Sequence, residues 1–143
     1  MPNSTVQLDQ IADVFTGHYE QGAGVDNPAG THRLVFIGSI DPGPSHRLLP
    51  EKCPRFSPKI DPGDSLLRQG DLVMPARGER QDVAIIDRNP DNHPLVAASF
   101  LHVVRPNIEA ADPGYLAWWL NQPTVRARVT GRVRGTKMPF LPL

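Results

Sequence analysis

The chain has 143 residues, 39% of them hydrophobic, with fifteen basic and fifteen acidic side chains and a formal charge of zero. The charge balance excludes a generic polycation that would cling to any anionic surface, and the apolar content excludes a disordered chain. A single cysteine, Cys53, excludes an internal disulfide, and no apolar stretch approaches the roughly 20 residues that a bilayer span needs.

The N-terminus lacks the basic start and apolar run of a signal peptide, so a soluble, cytoplasmic protein is expected. Sixteen prolines predict many short elements joined by turns, because proline is excluded from helix interiors and central strands. Thr5–Leu8 alternates polar and apolar and predicts a strand; Asp9 then caps a helical turn over Ile11, Ala12 and Val14 that ends at Gly17. Gly22, Gly24, Pro28 and Gly30 make residues 20–31 a loop. The apolar run within Arg33–Ile40 predicts a strand buried on both faces. Residues 41–63 hold six prolines and four cations and predict an ordered loop or short edge strands. Gln69-Gly70-Asp71 predicts a turn into the strand Leu72–Ala76, and Arg77–Arg80 the next turn. Asp82–Asp87 is a further strand, Asn89–Asn92 a turn, and Leu95–Arg105 the longest strand.

The pattern then changes. Asp112 as N-cap and Pro113 at the first helical position start a helix that runs to Asn121 and buries Leu116 and Leu120. Trp118 and Trp119 are both expected in its core, with base stacking as their alternative role. Pro123 closes that helix or begins a second one through Arg128. Strands first and helices later predict an α+β fold of short strands with one or two C-terminal helices, in one domain spanning residues 1–143.

Charge is segregated along this order. Residues 1–32 carry Asp9, Asp13, Glu20 and Asp26 and no lysine or arginine, whereas residues 124–137 carry Arg126, Arg128, Arg132, Arg134 and Lys137 and no acid. Such a basic run serves either as a solvated helix and tail or as a set of phosphate contacts.

Catalytic patterns are missing. There is no Gly-x-Ser-x-Gly elbow, no phosphate-cradling glycine loop with lysine and no His-Glu-x-x-His. His18, His32, His46, His93 and His102 have no metal-ligand spacing to one another or to Cys53, so neither metal nor cofactor is expected. Cys53 reads as an inert, partly buried thiol and His102 as a core or cross-strand residue. Ser65, shortly before Gly70-Asp71, has a faint likeness to the serine of Ser–Lys peptidases. The methionine that follows the serine there is absent, however, and Lys137 is the one downstream base, within a basic loop that would keep it protonated.

Six segments, read in order, resemble the specificity subunits of type I restriction–modification systems. They are Gln7–Val14 with Thr16-Gly17, Phe36–Ile40, Leu67–Val73, Ala98–Pro106, Asp112–Asn121 and Gly135-Thr136-Lys137-Met138-Pro139. Each alone is weak; their order and spacing across residues 7–140 carry the resemblance. It implies one target recognition domain, without the conserved long helices that separate two such domains in a full subunit. It also implies duplex DNA as ligand, with a DNA adenine methyltransferase subunit and a restriction motor subunit as partners, no cofactor of its own and no catalysis.

DNA reading needs cations on phosphates to fix register and side chains on base edges for sequence. The expected DNA-binding residues are Arg47, Lys52, Arg55 and Lys59 in the proline-rich segment, Arg77 and Arg80 in their turn, and Arg132, Arg134, Thr136 and Lys137 near the end. Thr136 serves either a phosphate or its own loop's backbone. Gln69, Gln81 and Asn92 are candidate base readers, with turn polarity as their alternative role. A protein-interaction module or orphan relic of the same fold, with no DNA role, is the competing expectation, favoured by zero net charge. A contiguous basic concave face would favour DNA, and scattered charge the module.

Overall fold

The computed structural model describes residues 5–42, 45–76, 82–87, 92–129 and 137–139. Among the described residues, nine short strands form three sheets. Strand β1 (Thr5–Gln7) leads into helix α1 (Leu8–Ile11) and strand β2 (Ala12–Thr16). Strands β3 (His32–Val35), β4 (Arg55–Phe56), β5 (Leu72–Pro75), β6 (Ala84–Ile85), β7 (Leu95–Ala97) and β8 (Leu101–Pro106) follow. Helices α2 (Pro113–Leu120) and α3 (Pro123–Val129) precede the last strand, β9 (Lys137–Pro139).

The central sheet has the order β2-β8-β5-β6 and is antiparallel throughout. A second sheet, β4-β3-β7, pairs β3 with β4 antiparallel and with β7 parallel, and β1 pairs antiparallel with β9. The strand period of two sorts the core into layers. On one face of the central sheet, Leu72, Met74 and Val104 pack against Leu116, Trp119, Leu120 and Val125 of the helices. On the other, Val73, Leu101 and Val103 meet Val35, Leu95 and Ala97 of the second sheet. The outer face of that second sheet is closed in turn by Ala23, from the 20–31 loop, over Leu34, Phe56 and Val96. This double cover is why all four residues of β5 are buried.

The α+β expectation holds, and so does the helix start: the Asp112 carboxylate accepts the Tyr115 N–H at 2.8 Å, with Pro113 in the first turn. Several boundaries differ. The helical turn spans Leu8–Ile11, and Val14 belongs instead to β2, where buried Ala12 and Val14 alternate with exposed Asp13. The run expected as a strand over Arg33–Ile40 stops at Val35. Ser39 turns it into a 3₁₀ turn, accepting the Phe36 N–H on Oγ at 3.3 Å while its own N–H returns to the Phe36 carbonyl at 2.9 Å. The stretch expected as one strand over Leu95–Arg105 is two strands in different sheets, folded at Ser99-Phe100 by a Leu101 N–H to Ala98 O bond of 3.0 Å. Asp82–Asp87 contributes two paired residues, Ala84 and Ile85.

Two glycines are required by geometry. Gly70 has φ +93° in the turn before β5, a region that L side chains rarely adopt. Gly17 lies against β7, where a Cβ would fall 2.0 Å from the Ala98 carbonyl oxygen.

Candidate nucleic-acid interface

The two ends of the central sheet differ in chemistry. Strands β2, β3, β5 and β7 all finish at one end, where β8 begins. There the Gly17 N–H bonds the Leu101 carbonyl at 3.0 Å, the Ala98 N–H bonds the Val35 carbonyl at 2.8 Å and the Ala76 N–H bonds the Phe100 carbonyl at 2.8 Å. The opposite end lies along β8, six residues or roughly 17 Å away at about 3.3 Å per residue.

That opposite end is acidic. Asp9, Asp13, Gln69, Asn107, Arg68 and Arg105 line an open cleft of about 610 Å³ between α1, β2 and the turn before β5. Its floor is an ion pair. Arg105 donates from Nε to Asp71 Oδ1 at 3.0 Å and from Nη2 to Oδ2 at 2.9 Å. Nη2 also reaches the carbonyls of Asp64 and Leu66, each at 3.0 Å, and the guanidinium lies 5.1 Å from the centre of the Phe15 ring. The hydrogen bonds to Asp71 hold the guanidinium more firmly protonated against the burial that opposes it. This arginine is therefore committed to the fold. Gln69, a candidate base reader, is exposed in this cleft, which Asp9, Asp13 and Arg68 also line. Ser65 lines the adjoining cleft, whose cations are Arg68 and Arg105, and an arginine cannot deprotonate to serve as a base.

The strand-terminal rim holds the loop of Arg47. His46, at φ +46°, lies with Nδ1 3.7 Å from the Asp82 carboxylate and Nε2 3.5 Å from Arg126 Nη2. Arg126 also donates to Asn121 Oδ1 at 2.8 Å, and Asn121 makes a two-way bridge to the Val83 backbone, 2.9 Å in each direction. Three described segments thus meet around His46: the loop carrying exposed Arg47, the segment that opens at Asp82, and α3. Arg77, Arg80, Gln81, Arg132, Arg134 and Thr136 themselves lie outside the described residues. Lys52 is exposed in the 3₁₀ turn Pro50–Lys52, and its carbonyl accepts the Ser39 hydroxyl at 3.1 Å, which ties it to the same rim.

Other expected DNA contacts are placed elsewhere. The Arg55 guanidinium bonds the Gly30 carbonyl from Nε at 3.2 Å and from Nη2 at 2.9 Å and contacts His93 Nε2 at 3.2 Å, an intramolecular use that the sequence does not show. Its cross-strand neighbour Arg33 pins the proline-rich segment through the Pro50 and Cys53 carbonyls, at 3.3 and 2.9 Å. Lys59 is exposed beside the 20–31 loop, where the Glu20 carboxylate accepts the N–H groups of Lys59 and Ile60 at 3.0 and 3.1 Å. Burial pushes the Glu20 carboxyl up, but these two bonds and His18 outweigh it and hold it below its ordinary value. Lys137 pairs through its backbone with Gln7, next to α1 and away from the rim. Asn92, at φ +62°, precedes β7 and so also lies away from the rim.

The tryptophans divide. Trp119 is in the helix–sheet core, whereas Trp118, expected there too, is 61% exposed with Tyr115 edge-on at 5.9 Å. One position apart on a helix is a turn of about 100°, so only one of the two can face the sheet. Cys53 is buried, with its thiol 3.5 Å from the Leu49 carbonyl, and His102 is half-buried in β8 between Thr16 and Met74.

The sequence matches no protein-family model and no curated protein. The fold, however, is that of solved structures from the type I R-M system. The HsdS subunit from Thermoanaerobacter tengcongensis superposes with a TM-score of 0.70 over 99% of this chain and 34% of its own length, at 16% identity. A chain solved in a study of complex assembly and conformational transition of the type I R-M system superposes with a TM-score of 0.74 over 100% of this chain and 35% of its own, at 13% identity. The present chain therefore spans about a third of the length of these structures.

Proposed function

We propose that the chain reads DNA sequence as one target recognition domain, residues 1–143, of a type I specificity subunit, and does no chemistry itself. The observation that carries this reading is the likeness of its whole length to one third of an HsdS subunit. The exposure of Arg47 and Lys52 on one rim supports it, because phosphate binding needs cations from several segments on one side. The acidic cleft at the other end orients the domain, directing duplex DNA to the rim. The domain would hand its site to a DNA adenine methyltransferase subunit and a restriction motor subunit, in the cytoplasm.

The test is fluorescence anisotropy of a short labelled duplex across a salt series. We expect binding on the order of micromolar or weaker at physiological salt, since one recognition domain covers only part of a split site, with a steep loss as salt rises. Absence of binding at low salt would overturn the reading. A protein-interaction module is the second reading, and exposed Trp118 on α2, with half-buried Tyr115 edge-on to it, favours it.

A further inference from the structure

The central sheet has an open edge at β2. This strand pairs with β8 on one side and, among the described residues, with no strand on the other. The ladder decides which of its main-chain groups face outward. The Gly17 N–H bonds the Leu101 carbonyl at 3.0 Å, and the Ile11 carbonyl accepts the Asn107 N–H at 2.8 Å. In an antiparallel pair, residues alternate between bonding the partner strand and facing away from it. Asp13 and Phe15 therefore bond β8, and the N–H and carbonyl groups of Ala12, Val14 and Thr16 point outward. Pro106, opposite Ala12, agrees with this phase, because it has no N–H to give.

The edge opens into a cleft of about 530 Å³ that is lined by the whole of β2, from Ala12 to Thr16, together with Asp9, Asp64 and Arg68. Ala12 and Val14 turn their side chains into the helix–sheet core, so what they present to the cleft is main chain. Open edges are commonly blunted by a proline, a lysine or a bulge. Strand β2, Ala12-Asp13-Val14-Phe15-Thr16 in unbroken register with β8, has none of these. Its single charge is exposed Asp13, joined at the cleft by exposed Asp9 and by Asp64, whose side chain is 83% exposed. Of the cations lining the cleft, Arg68 is exposed and Arg105 is committed to Asp71.

A row of outward main-chain groups selects an extended chain, and carboxylates that outnumber the exposed cation select basic side chains on it. We propose that β2 is a docking edge for an extended, basic segment of a partner protein, which adds to the central sheet as a further strand. Successive side chains of that segment point to opposite faces of the sheet. One set, basic, lies beside Asp13, and the other, apolar, lies on the face of Ala12 and Val14. A second copy of this chain fits poorly, since pairing two β2 edges would crowd the carboxylates of Asp9 and Asp13 from both copies along one seam. The proposal uses neither the rim nor duplex DNA, so it stands apart from the DNA reading, and failure of either leaves the other intact.

The experiment uses the full chain, isotopically labelled, with three fluorescent octapeptides. One alternates lysine and valine, one carries glutamate in place of every lysine, and one is the lysine–valine peptide with two central prolines. Binding is read by anisotropy and amide exchange by NMR. The lysine–valine peptide is expected to bind and to slow exchange at the Ala12, Val14 and Thr16 amides, while those of Asp13 and Phe15, already bonded to β8, change little. The glutamate peptide is expected to bind far more weakly because of its charge, and the proline peptide because it lacks strand donors. Asp13→Asn, a change at an exposed side chain, should weaken the lysine–valine peptide by up to about fivefold, the weight of one cross-strand charge pair. The wild-type exchange pattern needs no variant, so a folding defect cannot obscure it. Absence of binding, slowed exchange confined to other amides, or equal affinity for the lysine and glutamate peptides overturns the proposal. Protection of the same three amides that grows with the concentration of the chain alone overturns it too, by assigning the edge to a second copy.

Discussion

Arg105 and Asp71 meet fork to fork, at 2.9 and 3.0 Å, with the Asp71 side chain 2% and the Arg105 side chain 13% exposed. Asp71 Oδ2 also accepts the Arg68 N–H at 2.8 Å, so one carboxylate closes the turn before β5 and anchors it to β8. Removing one partner of a buried pair strands the other charge. Arg105→Ala should therefore destabilise the fold by about 3–5 kcal/mol in a urea melt. A loss under about 1 kcal/mol would show that water reaches Asp71 freely. Replacing both residues by apolar ones should cost less than Arg105→Ala alone.

The helix–sheet core gives a second expectation. Leu120 is 1% exposed between α2 and the central sheet, and Leu120→Ala should cost about 2–5 kcal/mol. Trp119→Ala should cost about 3–5 kcal/mol, and Trp118→Ala less than about 0.5 kcal/mol, as a surface change does. Equal losses for the two tryptophans, read by denaturant melts, would mean that the helix face is misassigned.

DNA binding can be apportioned by salt. Each phosphate neutralised contributes about −0.9 to the slope of log affinity against log salt. If Arg132 and Arg134 both contact phosphate, replacing both with Ala should make the slope shallower by nearly two units. The pair Arg55→Ala and Lys59→Ala, away from the rim, should leave it unchanged. Anisotropy titrations that return one slope for all three proteins would remove Arg132 and Arg134 from the interface.

Acid should loosen the fold in two stages. Burial, joined by the neighbouring His93, pushes His32 below its ordinary value of 6.5. The unfolded chain then takes up that proton first, and stability begins to fall as pH drops through the ordinary histidine range. The Glu20 carboxyl lies below its ordinary 4.5 in the fold, so its contribution is complete above that value and is lost as pH falls through the lower folded one. Thermal melts from pH 8 to 3 should show both stages, and Glu20→Gln should remove the acid stage alone. A Glu20→Gln profile parallel to the wild type at low pH would dismiss the Glu20 clamp.

The sequence by itself determined what depends on near neighbours. Asp112-Pro113 marked the start of α2, Gly70 marked the turn into β5, and the apolar run after it marked β5. It also located the basic segments along the chain, including Arg47 and the Arg77–Arg80 turn. What it could not show was which of these segments share an end of the molecule. A strand signal carries its own period but not its partner, so the stretch from Leu95 to Arg105 reads as one strand although its halves belong to two sheets. The same holds for charge. An arginine in a loop looks alike whether its guanidinium faces solvent or a carbonyl, and only the tertiary structure separates exposed Arg47 from Arg55, bound to Gly30, and Arg105, bound to Asp71. Those partners lie 25 and 34 positions away in the chain, beyond the reach of any local pattern, and they decide which cations remain available to a ligand.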